Sequence, residues 1–165
     1  MKNIAIGIML VIFLSIIIEP LVEMAIVFKE NVVLSTAVNN ACRVAKDRSL
    51  EYDAIRGLDA EMDEEKFKQY FSDAFESAMD LTLLTSEGDT LNFKSNNSIY
   101  NDFQVTLDFS TDTNYETEQL VTEVEIKAEA IYKFKTRYLK LAEAAGEDVD
   151  YKLISERTYL LSVKN

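Results

Sequence analysis

Between Ile4 and Ile18 the chain runs fifteen residues without a charged side chain, preceded by Lys2 and followed by Glu19. A helix needs about 20 residues, at ~1.5 Å rise each, to cross a hydrocarbon core ~30 Å thick. The run alone is short of that, but carried through Glu19 and Glu23 to Phe28 it is long enough. The segment Ile16-Ile17-Ile18-Glu19-Pro20-Leu21-Val22-Glu23 offers no small-x-small site, so a retained signal anchor is expected rather than a cleaved secretory signal. The expected division is a transmembrane anchor over residues 1–29 and an exoplasmic domain over 30–165. Lys2 favours the N-terminus on the cytoplasmic side, with the C-terminal domain outside.

Within the anchor, Glu19 and Glu23 are four apart and so share one helix face, with Pro20 beside them. Carboxylates in hydrocarbon are costly unless they find a cation, a proton or the interface. Two outcomes stand open: the span ends near Val22 and both glutamates reach headgroups, or one or both meet a cation, such as an amino terminus, on a neighbouring subunit. Pro20 removes one intrahelical hydrogen bond, and a kink or local melting is expected there.

The helical pattern continues from Asn31 to about Tyr52 without Gly or Pro. Val33, Ala37, Ala41 and Ala45 follow one another at i, i+4, a face of mostly small residues that lets another helix approach closely. A helix from Ile4 to Tyr52 would be ~75 Å long, too long for so small a domain to bury. Its first half must meet lipid or other helices, and its second half the chain's own domain. Cys42 reads as a small core residue on this helix, with an intermolecular disulfide or lipid attachment as alternatives.

A polar stretch from Leu50 to Met62, containing Gly57, is expected to be a loop. Asp63 then caps a second helix, with Glu64 and Glu65 at its positive end and Phe67, Phe71, Ala74, Phe75 and Ala78 as a core stripe. Beyond it the period changes to two. Phe103, Val105, Leu107 and Phe109 alternate with polar residues, as do Val124 to Phe134, and Tyr151 to Val163 less regularly. Leu91 and Phe93 add a short edge strand. A short helix over Arg137 to Ala145, ended by Gly146, is expected to cap the sheet with Tyr138, Leu139 and Leu141. The fold class is therefore α+β: a long transmembrane helix continuing into a domain with a second helix and a three- or four-stranded antiparallel sheet.

Composition removes most enzyme classes. There is no His, one Cys, four Gly and one Pro among 165 residues, so imidazole catalysis, thiolate metal cages and Gly-rich phosphate loops have no materials. No cofactor, metal or catalytic residue is expected. With the anchor's charges set aside, 27 acids face 15 bases and the domain keeps the full −12, which repels nucleic acid phosphates and anionic lipid headgroups. Asp112-Thr113-Asn114-Tyr115-Glu116 offers spaced oxygens without the Gly and distal Glu of an EF-hand, and reads as a solvated turn. The paired acids Glu64/Glu65 and Glu123/Glu125 are what so acidic a chain yields by chance.

A hydrophobic N-terminal helix whose distal half packs on an antiparallel sheet resembles the pilin-like fold of type IV-like filament systems. The segment Leu34-Ser35-Thr36-Ala37-Val38-Asn39-Asn40-Ala41-Cys42-Arg43-Val44-Ala45 is similar to the Ala-rich, Arg-containing stretch that TadE-like pseudopilins of tight-adherence pili place after their anchor. The resemblance implies a minor structural subunit of a pilus or related secretion machine at the cell surface, with no catalytic centre. Its partners would be other pilin-like subunits and a membrane assembly platform, in a homo- or hetero-oligomer. Glu19, Pro20 and Glu23 would then be assembly residues of the anchor, and Ala37, Ala41 and Ala45 helix-packing residues. The chain departs from conventional type IV prepilins, whose leader ends in Gly with Glu five residues later: Gly7 has Ile12 at that place. A membrane-anchored extracytoplasmic binding or accessory module that never polymerises is the alternative.

Overall fold

A computed structural model describes residues 2–52, 60–114, 119–133, 135, 137–147 and 150–164. Helix α1 spans Lys2–Ser49 and runs through Pro20 without melting. The segment expected to be a loop carries two short strands, β1 (Leu50–Tyr52) and β2 (Ala60–Met62), paired antiparallel with Glu51 opposite Glu61; Gly57 lies outside the described residues.

Helix α2 (Glu64–Met79) starts where its cap predicts. The Asp63 side chain accepts from the Lys66 N–H at 3.0 Å, which satisfies a first-turn donor that the helix itself cannot pair. It ends at Asp80 in the left-handed region, φ 54°, whose N–H donates to the Glu76 carbonyl. Phe67, Phe71 and Phe75 are fully buried, and Ala74 packs partly on the core. Ala78 is exposed and Met79 is buried in its place, because the helix winds ~100° per residue and the stripe drifts by one position over three turns.

Among the described residues, the remaining long strands form one antiparallel meander in the order β3 (Leu81–Glu87), β4 (Thr90–Ser95), β5 (Phe103–Asn114), β6 (Gln119–Tyr132) and β7 (Tyr151–Lys164). The sheet thus has five strands, not three or four. Leu91 and Phe93 lie in β4, which is interior; the edges are β3 and β7. Gly88, at φ 59°, turns β3 into β4, a conformation that costs an L side chain but not glycine. Phe103, Val105 and Leu107 on β5, Val124, Ile126 and Ala128 on β6, and Leu153 on β7 are buried on the inner face, as their alternation requires. Phe134 and the side chain of Val163 lie outside the described residues.

Both helices cover that inner face. Leu34, Ala37, Val38, Ala41, Cys42 and Ala45 of α1 are buried against α2 and the sheet. Val33 is 38% exposed; the buried position is Leu34, one residue on. The small side chains let α1 come close to α2, whose rings then bridge to the sheet: Phe75 meets Phe93 at 5.3 Å and Phe103 at 6.0 Å, both edge-on. Burying each such ring contributes roughly 2 to 3 kcal/mol. Helix α3 (Arg137–Ala144), followed by Gly146 at φ 90°, forms as expected, but Leu141 is 67% exposed and Leu139, though half-buried, does not join the core, so these two do not cap the sheet. The side chain of Tyr138 lies outside the described residues.

Candidate functional site

Helix α1 divides by what touches it. From Ile4 to Ile18 every side chain is exposed, and the most apolar 18-residue window has a mean hydropathy of 2.6 with none of it buried. One helix is therefore long and apolar enough to cross a membrane. Ile4 to Val22 measures ~28 Å along a helix, close to the ~30 Å of a hydrocarbon core. The next residue, Glu23, is the first buried one at 6% exposure. The change from bare helix to packed helix falls where a bilayer of ordinary thickness would end.

Above that level α1 runs alongside edge strand β7 and hydrogen-bonds to its outward backbone groups. The Asn31 side-chain oxygen accepts from the Ile154 N–H at 3.3 Å, and the Lys46 ammonium donates to the Leu160 carbonyl at 2.7 Å. From Asn31 to Lys46 is ~22 Å along a helix, and from Ile154 to Leu160 is ~20 Å along a strand, so helix and strand keep pace. Glu23 sits near enough to Tyr151, at the start of β7, that its charge adds to burial in raising the Tyr151 phenol. Near the other end, Cys42 faces Tyr159. Two outward polar groups of the edge strand are thereby satisfied, and the helix lying along it hinders the addition of a further strand. The β3 edge is blunted differently, by a register break between Leu83 and Thr85 and by the Glu76 carboxylate, which accepts the Leu83 N–H.

The sequence-predicted anchor residues lie at the base of this seam. Pro20 is exposed. Glu19 is half-buried, and among the described residues nothing donates a hydrogen bond to its enclosed Oε2. Glu23 is buried against the chain's own domain. Glu30, about two turns higher, accepts from the Tyr100 hydroxyl and lies 3.7 Å from the Lys29 ammonium. Burial first, and Glu30 second, hold the Tyr100 phenol well above its usual range. Ala37, Ala41 and Ala45 are spent inside the domain and present nothing to a partner.

What α1 does present is a second stripe, on the side away from the domain. Leu21, Met24, Phe28 and Val32 are exposed at 50 to 72% and recur at helical spacing. In the sequence they are hidden among equally apolar neighbours such as Val22, Ala25, Ile26 and Val27, and only the domain's position tells one face from another. Asn31, Lys46 and Tyr100 were missed for the opposite reason: each looks like an ordinary solvated polar residue.

Burial lifts the Cys42 thiol to about 12, against a smaller opposing pull from Lys46, so it is no nucleophile at neutral pH. Among the described residues no group of three or more His, Cys, Asp or Glu is placed to hold a metal. Asp112 to Asn114 close β5, while Tyr115 and Glu116 lie outside the described residues. A groove of about 440 Å³ on the outer sheet face is lined by Gln104, Glu129, Ile131, Lys133, Lys152 and others, with both signs of charge present. In comparisons with known proteins, no family model, no curated protein and no solved structure matches this chain.

Proposed function

We propose that this chain is a non-enzymatic structural subunit, a minor pilin or pseudopilin of a type IV-like tight-adherence pilus or related secretion machine, and that it assembles through α1. The observation that carries this is the length of the bare apolar face. It runs from Ile4 to Val32, which is ~43 Å of helix against a hydrocarbon core of ~30 Å. Lipid cannot cover all of it, and the domain covers the other side. The remaining ~13 Å, which holds Met24, Phe28 and Val32, suits a helix of a neighbouring subunit. The enclosed oxygen of Glu19 fits the same picture, since a buried carboxylate without a donor is costly until a cation or a proton reaches it.

The narrower assignment to TadE-like pseudopilins rests on the segment Leu34 to Ala45. In this reading the N-terminus is cytoplasmic, the sheet lies outside the cell membrane, and the partners are pilin-like subunits and a membrane assembly platform. A second reading, an anchored binding or accessory module that does not polymerise, would draw on the outer-face groove at Gln104 and Glu129.

Cross-linking separates the two. With Cys42→Ala as background, a single cysteine at Phe28→Cys is expected to form a disulfide-linked species in native membranes on mild oxidation, while Lys94→Cys on the exposed sheet is not. No cross-link at position 28 above that control would count against assembly through α1. A polyleucine segment replacing residues 4–28 should also abolish function in a filament subunit and be tolerated in a merely anchored module.

A further inference from the structure

Strands β6 and β7 point their Tyr132 and Tyr151 ends toward the base of the domain, and Tyr151 lies beside Glu23, where α1 emerges from its bare segment. The connection between them therefore projects on the side of the domain from which the span leaves. This connection divides by charge, its bases coming first and its acids, Glu143, Glu147, Asp148 and Asp150, after them. From Lys133 to Ala142 the sequence holds Lys133, Lys135, Arg137 and Lys140 with no acid, in a chain of net charge −12. Its helix α3 is amphipathic, yet among the described residues it makes no substantial packing contact with any other element. Leu141 is 67% exposed, and Lys133, Lys140 and Lys152 are exposed near it in the chain or across the strand pair. Ile99, 42% exposed, is fixed to the same end by the Lys133 N–H, which donates to its carbonyl at 2.8 Å.

Three acids at this end are paired with lysines, while Asp102 and Glu147 are exposed beside them. Lys135 holds Glu143 at 2.7 Å and Asp150 at 2.8 Å, and Glu129 pairs with Lys127 at 2.7 Å. Asp102 shares the groove with Lys133 and Lys152. At physiological salt a charge is felt over ~8 Å, so the acids toward the distal end, such as Glu87 and Glu123, do not reach a surface that touches α3.

We infer that this end of the domain is a membrane-surface contact: Leu141 and Ile99 enter the interfacial layer, and Lys133, Lys140 and Lys152 meet anionic phospholipid headgroups. The inference rests on α1 spanning the bilayer, since that anchors the domain by Glu23 and places α3 at headgroup level. Interleaved lysines and large apolar residues are the composition that lies in such an interface. The contact would hold the domain at a fixed tilt before assembly lifts it away, despite the overall negative charge that disfavours an anionic surface.

The test uses the full chain in nanodiscs of phosphatidylcholine with or without phosphatidylglycerol, with Cys42→Ala as background and an environment-sensitive fluorophore on single cysteines. At Leu141→Cys the label is expected to be quenched by lipids carrying a headgroup-level quencher, several-fold more in anionic discs, while at Ser86→Cys on the β3 strand it is not. Lys133→Glu with Lys140→Glu should erase the difference between the two lipids. A label at 141 as water-exposed as that at 86 in both discs overturns the contact, and equal quenching in both overturns the headgroup recognition. A label at Ile12→Cys reports the span separately: if a bilayer-centre quencher fails to reach it, the membrane reading itself has failed, and this inference with it.

Discussion

The Tyr100 hydroxyl donates to the Glu30 carboxylate, joining the loop before β5 to α1 across seventy residues of sequence. Tyr100 also bridges to Tyr132 at the end of β6 and sets its ring edge-on to Phe103 at 5.3 Å. The pair thus pins the base of the sheet to the helix just above its bare segment. Removing the hydroxyl with Tyr100→Phe leaves a half-buried carboxylate short of a donor and should cost about 1.5 to 3 kcal/mol. In a double-mutant cycle with Glu30→Gln, read by urea unfolding of the detergent-solubilised chain, a coupling of about 1 kcal/mol is expected. Additive effects would mean that the two side chains act independently.

Close approach of α1 to α2 depends on small side chains, and Ala41 is 1% exposed. Ala41→Leu should therefore overpack the seam and destabilise by roughly 1 to 3 kcal/mol. Phe71→Ala, which leaves a cavity under the same seam, should cost roughly 3 to 5 kcal/mol. Both are measured as shifts of the urea midpoint. An unchanged midpoint for Ala41→Leu would show that the helices are not in contact there.

Alkaline pH should weaken the domain. Burial raises the Cys42 thiol from 9.0 to about 12, and burial also raises Tyr100, Tyr132, Tyr151 and Tyr159 above 10.0, with Glu30 adding at Tyr100 and Tyr132. The folded chain holds these protons more tightly than the unfolded chain, so the stabilisation is complete below the unfolded values and is lost as pH climbs through the folded ones. The urea midpoint is expected to be flat up to pH 9 and to fall from there upward. Cys42→Ala should delay the start of the fall toward pH 10. A midpoint still level at pH 11 would contradict the burial of these groups.

Much of this fold is legible without coordinates wherever one period dominates. The Asp63 cap, the phenylalanines of α2 and the alternation of β5, β6 and β7 each report a face that must be dry. Strand β3 escaped because Leu83 and Leu84 are adjacent and the register breaks between Leu83 and Thr85, so its apolar residues do not alternate. Strands β1 and β2 are three residues each, too short to carry a period. On α1 the phase came out one residue early, at Val33 instead of Leu34, since Val32, Val33 and Leu34 are uniformly apolar and both i, i+3 and i, i+4 spacing lead to Ala37. The same uniformity hid the outward stripe of Met24, Phe28 and Val32, and Leu141 looked like a cap because exposure cannot be read from a single leucine. The roles of Asn31 and Lys46 depend on β7 lying beside them, a long-range relation that no local pattern encodes.

The most direct measurement is the location and intact mass of the native protein, comparing a sheared cell-surface fraction with washed membranes. A filament subunit is expected in the sheared, high-molecular-weight material, with the mass showing whether any N-terminal leader is removed. Recovery in washed membranes alone, at full length and with no higher assembly, would contradict a role as a filament subunit and favour the anchored module.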